Sequence, residues 1–257
     1  MTNSKDFFQN YSYKNFLIHH YHQVTSTNDL AKELLNNRQI FANEIILSDI
    51  QTIGKGRMNR QWQSPLGNLY FSLCVDLSMI NSQFLSTLPL FCGIVLNKTI
   101  SNLSAKKLNI LNKWPNDLLI ENKKIAGILV ENTTINDNQK LAIIGIGVNI
   151  NNNPNNTRFA SGNLSEFDLK ISNLQLLEKF LDEFDNFFKI WEKFGFKNLK
   201  KIWLEKAYQL HQKVTINLGK DNQQNLFTGI FNDIDEYGNI IIIKDQKNFT
   251  ISVGDVS

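Results

Sequence analysis

The sequence predicts an α+β fold, a mixed or antiparallel sheet flanked by helices with a small all-β module behind it. Three observations carry this. Strand-like runs between 108 and 150 follow a helix and are joined by short turns. Two long stretches, about 82–105 and 171–194, repeat apolar residues at three- and four-residue spacing. From His211 the period becomes that of strands, in the runs KVTINL, LFTGIFND, NIIIIK and FTISV.

In chain order, residues 1–14 read as a loose arm and Asn15–His22 as a strand. Thr25, Ser26, Thr27 and Asn28 offer N-cap oxygens, Asp29 sits in the first turn, and Leu30, Leu34 and Leu35 share a face, which predicts a helix over about 27–37. Glu44–Asp49 is a short buried strand leading into GKGRMNRQW at 54–62. Leu69, Phe71, Leu73 and Val75 alternate with Tyr70, Ser72, Cys74 and Asp76, the pattern of a strand with one buried face. The helix over 82–105 rests on Leu88, Phe91, Val95, Leu96, Ile100 and Leu103. Strands follow at Leu108–Leu111, Asp117–Ile120, Lys124–Glu131 and Lys140–Ile150, the second and third joined at Glu121–Lys123. Asn151–Asn156 is a polar loop. The helix 171–194 carries the stripe Leu174, Leu177, Leu181, Phe184, Phe188 and Trp191, and a further helix is expected at 197–209. The domains expected are an arm (1–14), a main domain (15–209) and the β module (210–257).

The composition narrows the classes. The chain has 257 residues, 42% hydrophobic and 20% charged, enough for a full core. A net charge of +3 is too slight to argue for nucleic acid. Cys74 and Cys92 lie in apolar runs and read as reduced core thiols. The N-terminus has no signal-like apolar region, and the stretch near Leu85–Leu96 contains Ser86, Thr87 and Pro89 and is too short for a bilayer, so no membrane partner and a cytoplasmic location are expected. His19, His20 and His22 are unevenly spaced along a strand and read as structural; no zinc-type spacing and no defensible Ser-His-Asp or Cys-His set exists.

What remains is chemistry for anions. In GKGRMNRQW two glycines let the backbone approach a ligand while Lys55, Arg57 and Arg60 supply positive charge. Gly127, Gly145 and Gly147 interrupt strands, which weakens them unless something must approach the backbone closely, as a ligand lying flat on the sheet does. Lys113 and Lys124 add distant cations.

These runs, STN at 26–28, QTIGKGRMNRQW at 51–62, KWPND at 113–117, KKIAGILVE at 123–131 and GIGVNI at 145–150, resemble in order and spacing those of the biotin protein ligases. The resemblance extends over about 15–257. It implies a class II synthetase-like catalytic domain and an SH3-like C-terminal barrel. The implied reaction joins biotin to the α-phosphate of ATP, releases pyrophosphate, and passes the biotinyl group from biotinyl-5′-AMP to a lysine of a biotin carboxyl carrier domain of acetyl-CoA carboxylase. Two anions must meet, which needs placed cations and no protein nucleophile.

Carried over by residue, the resemblance assigns Ser26, Thr27 and Gln51 to the ureido head of biotin, Asn28 to the biotin site, and Gly54, Lys55, Gly56 and Arg57 to biotin's rings and valeryl chain. Lys124 would bridge biotin's carboxylate and the α-phosphate, with Arg57 and Lys113 as further catalytic cations. Gly127, Gly145 and Gly147 would form the floor under biotin. Arg60, Lys113, Asn116 and Asp117 would take the triphosphate, Asn149 the adenylate, and Trp62 would stack on adenine. Mg²⁺ would arrive mainly on ATP, with no protein metal site. Lys55, Met58 and Asn59 depart from the family's usual arginine-glycine pattern. With about 14 residues ahead of the first catalytic strand, a monofunctional ligase without a helix-turn-helix domain is expected, and no nucleic-acid partner. The runner-up activities are lipoate or octanoate ligation or transfer on the same fold, and a non-enzymatic biotin-binding regulator. A sheet edge near Lys140–Val148 would permit a weak homodimer in place of a monomer. The loop 54–62 is expected to be mobile without ligand.

Overall fold

A computed structural model describes residues 7–135, 139–154, 159–219 and 225–256. The first residues of the expected arm and the end of the asparagine-rich loop lie outside that set. In chain order the elements are β1 Phe7–Tyr13, β2 Phe16–Val24, α1 Thr27–Asn36, β3 Glu44–Gln51, β4 Leu69–Asp76, α2 Leu88–Leu103, β5 Ile110–Lys113, β6 Asp117–Ile120, β7 Lys123–Ile135 and β8 Gln139–Val148. Then come α3 Asn173–Phe194, α4 Lys200–Leu204, β9 Lys213–Asn217, β10 Leu226–Ile234, β11 Ile240–Lys244, β12 Lys247–Ile251 and β13 Asp255–Val256. The chain divides into two compact units, Met1–Ile80 with Lys123–Lys179, and Asn81–Asn122 with Phe180–Ser257.

The first unit is built on six strands in the order β1-β2-β3-β4-β8-β7. β2 and β3 run parallel, with His20 opposite Leu47, and the other neighbours are antiparallel. Part of the expected loose arm is therefore β1, which runs Asn10 against His19 and Tyr13 against Phe16. β8 lies between β4 and β7, so the edge expected near Lys140–Val148 does not exist, and a dimer through it falls away. β4 is buried on both faces up to Val75, not on one. The reason is α1, whose Leu30, Ala31 and Leu35 pack with Ile46, Cys74, Leu141 and Ile143 over the face that alternation had assigned to solvent. Ser26 caps α1 by accepting from the Asp29 N–H at 3.4 Å.

In the second unit, a 3₁₀ turn at Ser82–Thr87 precedes α2, so the expected single helix is split. Pro89 sits in the first turn of α2, where its missing N–H costs no hydrogen bond. The stretch Ser82–Leu103 is long and apolar enough to cross a membrane, but 67% of its apolar 18-residue window is buried inside the protein, as in a core helix. Phe91 of α2 meets the rings of Phe184 and Trp191 of α3 at 5.4 and 5.6 Å, and Trp191 Nε1 donates to Thr87 Oγ1 at 2.8 Å. The expected helix 197–209 shrinks to α4. Its C-terminal part is drawn into bridging with β5, because the Asn112 N–H donates to Lys206 O at 2.7 Å and the Tyr208 N–H to Asn112 O at 2.9 Å. The β module is a five-stranded antiparallel sheet in the order β12-β11-β10-β9-β13.

Candidate active site

The loop 54–62 closes on itself. The Gly56 N–H donates to Arg60 O at 2.7 Å and the Trp62 N–H to Gly54 O at 2.8 Å. Gly54 is required by close approach: a Cβ there would collide with Trp62 O and lie 2.6 Å from Ser64 Oγ. The left-handed turn falls instead on Met58 (φ 54°) and Asn59 (φ 56°), two of the three positions that depart from the family pattern. Lys55 points out of the loop and donates to Asp29 Oδ1 on the first turn of α1 at 2.5 Å.

Trp62 is turned onto the sheet. A Cβ on Gly147 would stand 2.5 Å from Trp62 Nε1, and one on Gly127 would stand 2.9 Å from the ring edge. The indole expected to stack on adenine thus covers two of the three glycines expected to floor the biotin site. Its Nε1 is buried with no hydrogen-bond partner among the described residues. Lys124 Nζ lies 5.2 Å from the ring centroid, within cation–π range. Gly145, two residues before Gly147 on the same face of β8, is covered by the Asn28 side-chain amide.

A cavity of about 350 Å³ opens beside the indole, lined by Arg60, Gln61, Trp62, Gln63, Lys124 and Asn149 together with Pro154, Phe159 and Ser161. Asn149 is buried; its Nδ2 donates to Gly162 O at 3.0 Å, while its Oδ1 lacks a partner among the described residues. Pro154, Phe159 and Ser161 were not foreseen. The 160–162 strip reaches the site through the Lys124 backbone, whose N–H donates to Ala160 O at 2.7 Å and whose carbonyl accepts from the Gly162 N–H at 3.1 Å.

At the N-terminus of α1 the polar side chains form a continuous network. Gln51 Oε1 accepts from the Thr27 N–H at 2.8 Å, and Gln51 Nε2 donates to Ser64 Oγ at 2.8 Å. Asn28 Nδ2 donates to Glu131 Oε2 at 2.7 Å. Ser64, Ser72 and Glu131 were missed in the sequence. Ser72 sits on the face that alternation had placed in solvent, and it is fully buried.

The expected residues of the first unit, Ser26, Thr27, Asn28, Gln51, Gly54–Arg57, Arg60, Trp62, Lys124, Gly127, Gly145, Gly147 and Asn149, fall in the loop, the network and the strands just described. Lys113, Asn116 and Asp117 belong to the second unit. There Lys113 is buried at the end of β5, and Trp114, whose peptide to Pro115 is cis, donates from Nε1 to Gly238 O at 2.9 Å. Among the described residues no group of three or more His, Cys, Asp or Glu side chains could hold a metal ion.

The Biotin/lipoate A/B protein ligase family model matches residues 21–150, half of the chain. The bifunctional ligase/repressor BirA of Bacillus subtilis (strain 168) is 29% identical over 232 residues, covering 88% of this chain and 66% of that protein. The chain therefore spans just under two thirds of that relative. The biotin--[acetyl-CoA-carboxylase] ligase of Paracoccus denitrificans is 28% identical over 208 residues, covering 77% of this chain and 82% of that one. Among solved structures, a biotin protein ligase from Aquifex aeolicus in complex with biotin and ATP matches with a TM-score of 0.79 and 25% identity over 95% of this chain and 98% of that one. The STN, GKGRMNRQW, KWPND, KKIAGILVE and GIGVNI runs all lie inside the matched span, and the chain belongs to the biotin/lipoate A/B protein ligase family.

Proposed function

We propose that the protein is an ATP-dependent biotin protein ligase. The observation that carries this reading is the flat strand surface at Gly127 and Gly147, covered by an aromatic ring and flanked by the amine of Lys124. Such a surface suits a small fused-ring ligand, and the amine suits the carboxylate at the end of its chain. The Aquifex aeolicus and Paracoccus denitrificans relatives support the choice of biotin and of an acetyl-CoA carboxylase carrier.

In this reading Lys124 Nζ stands between biotin's carboxylate and the α-phosphate of ATP. A carboxylate oxygen bonds to the α-phosphorus as the bond to the β-phosphate oxygen breaks, and pyrophosphate leaves. Lys124 and Arg57 offset the charge on the equatorial oxygens. The amine of the carrier's lysine then attacks the acyl carbon and AMP departs. Arg60 and Asn149 of the cavity serve the nucleotide, and Mg²⁺ comes with ATP. Trp62 is the movable cover of the biotin surface, and its contact with adenine belongs to the loaded state. The chain acts as a monomer in the cytoplasm, where ATP and the carrier are found, and its two cysteines are unpaired.

Incubating the protein with ATP, a purified carrier domain and either biotin or lipoate, followed by mass spectrometry of the carrier, tests the choice of acid. Biotin alone is expected on the carrier; transfer of lipoate alone would overturn the reading.

A further inference from the structure

Glu131 lies in no contact that the reaction above requires. It is half-buried on β7, and its Oε2 accepts from Asn28 Nδ2 at 2.7 Å. A carboxylate only accepts, so it fixes which end of the Asn28 amide faces it, and Oδ1 is turned toward Ser72. Three oxygen–oxygen contacts continue from there: Ser72 Oγ to Asn28 Oδ1 at 2.6 Å, Ser72 Oγ to Thr27 Oγ1 at 2.8 Å, and Thr27 Oγ1 to Gln51 Oε1 at 3.1 Å. Two hydroxyl protons must serve all three.

The shortest contact decides the order. Asn28 Oδ1 has no proton, so the Ser72 hydroxyl must donate to it. Ser72 Oγ shares that proton with Thr27 Oγ1, and the Thr27 hydroxyl donates to Gln51 Oε1, which also accepts from the Thr27 backbone N–H at 2.8 Å. Thr27 Oγ1 is left presenting a lone pair. Beside it, Gln51 gives one amide proton to Ser64 and keeps the second for a ligand. The pair is an acceptor next to a donor, which complements an N–H next to a C=O, the edge of a cyclic urea or amide.

We propose that Glu131 is a positioning residue that sets the proton direction at Thr27 through Asn28 and Ser72, and so tunes the site to a ureido head. The proposal rests on the biotin reading. With Asn28 and Thr27 each 4% exposed and Ser72 fully buried, water does not scramble the relay.

Calorimetric binding of biotin and steady-state kinetics test it, using Glu131→Ala, Glu131→Gln, Ser72→Ala and the same changes in a Thr27→Val background. Glu131→Ala is expected to raise the Kd and KM for biotin about tenfold, the loss of one charge-assisted orienting hydrogen bond, with kcat within about twofold of the unmodified enzyme. Glu131→Gln, which still offers an oxygen to Asn28, gives a smaller rise. Ser72→Ala repeats the signature of Glu131→Ala. In Thr27→Val, Glu131→Ala adds less than about twofold, because the group it acts through is gone. An equal tenfold effect of Glu131→Ala in both backgrounds, or a fall in kcat at unchanged KM, would overturn the relay while leaving the biotin reading in place. Absence of biotin binding by the unmodified protein would overturn both.

Discussion

Lys124 exists as a functional residue only in company. Within its own segment, next to Lys123 and just after a turn, it has the sequence of an exposed lysine. Its assignment comes with the family resemblance that the run KKIAGILVE carries, and the structure sets its Nζ 5.2 Å from the Trp62 ring centroid, on the cavity wall. Lys124→Ala is expected to lower biotin-dependent pyrophosphate exchange by about 10²–10³, with an unchanged melting temperature, since a half-exposed strand-end lysine contributes little packing. Near-normal exchange would remove it from the chemistry. Gly145→Ala should cost about 1–3 kcal/mol of stability, because the new Cβ collides with Asn28 and disturbs the relay to Thr27; chemical denaturation reads this directly. Trp62 gives an optical signal. The other three tryptophans, Trp114, Trp191 and Trp203, are buried, so a ligand that moves the indole off Gly147 should shift emission to the red, and Trp62→Phe should abolish the shift. Emission unmoved by saturating biotin would contradict the displacement. Phe159 and Ser161 escaped the sequence because nothing local marks them: they follow an asparagine-rich loop and arrive by a backbone ladder with Lys124. Glu131 escaped because its partner is 103 residues away.

At the scale of elements, periodicity located most strands and helices to within a few residues. It failed where another segment changed the environment. β4 alternates in sequence but is buried on both faces because α1 lies over one of them. The helix expected at 197–209 ends at Leu204 because the following residues pair with Asn112. β1, read as a loose arm, has the weakly patterned sequence FFQNYSY and gains its regularity from pairing with β2. The loop 54–62 was read as mobile from its like charges. The structure adds three internal backbone bonds and the Lys55–Asp29 ion pair, none of which anchors Arg57 or Arg60 to an apolar core. Trypsin is therefore expected to cut after Lys55, Arg57 or Arg60 in the free protein and several-fold more slowly with biotin and ATP, by the shift of the open population that ligand binding imposes. Equal rates in both states would count against closure of this loop over the ligand.

For the whole molecule, pH links structure to stability on the alkaline side. Burial pushes the Cys74 thiol from 9.0 up to about 12, with Glu44 adding to it, and burial pushes the Tyr11 phenol from 10.0 up to about 12, with Glu178 adding to it. Burial raises Tyr21, Tyr70 and Cys92 as well, the Tyr70 rise being partly offset by Asn68. Each of these groups holds its proton more tightly folded than unfolded. Their stabilisation is complete below the unfolded values of 9.0 and 10.0 and is lost as pH rises toward 12. Denaturant midpoints should thus fall steadily above pH 9, and the two thiols should resist alkylation at pH 8 until the protein is unfolded. Rapid native-state labelling would contradict their burial.

The central claim is that the glycine floor, its indole cover and Lys124 form one site in which biotin meets ATP. Isotope exchange between ATP and pyrophosphate, measured with and without biotin in the absence of any carrier, tests it most directly. Exchange that requires biotin, and that disappears in Lys124→Ala, is the predicted result; exchange without biotin, or none with it, would contradict the claim.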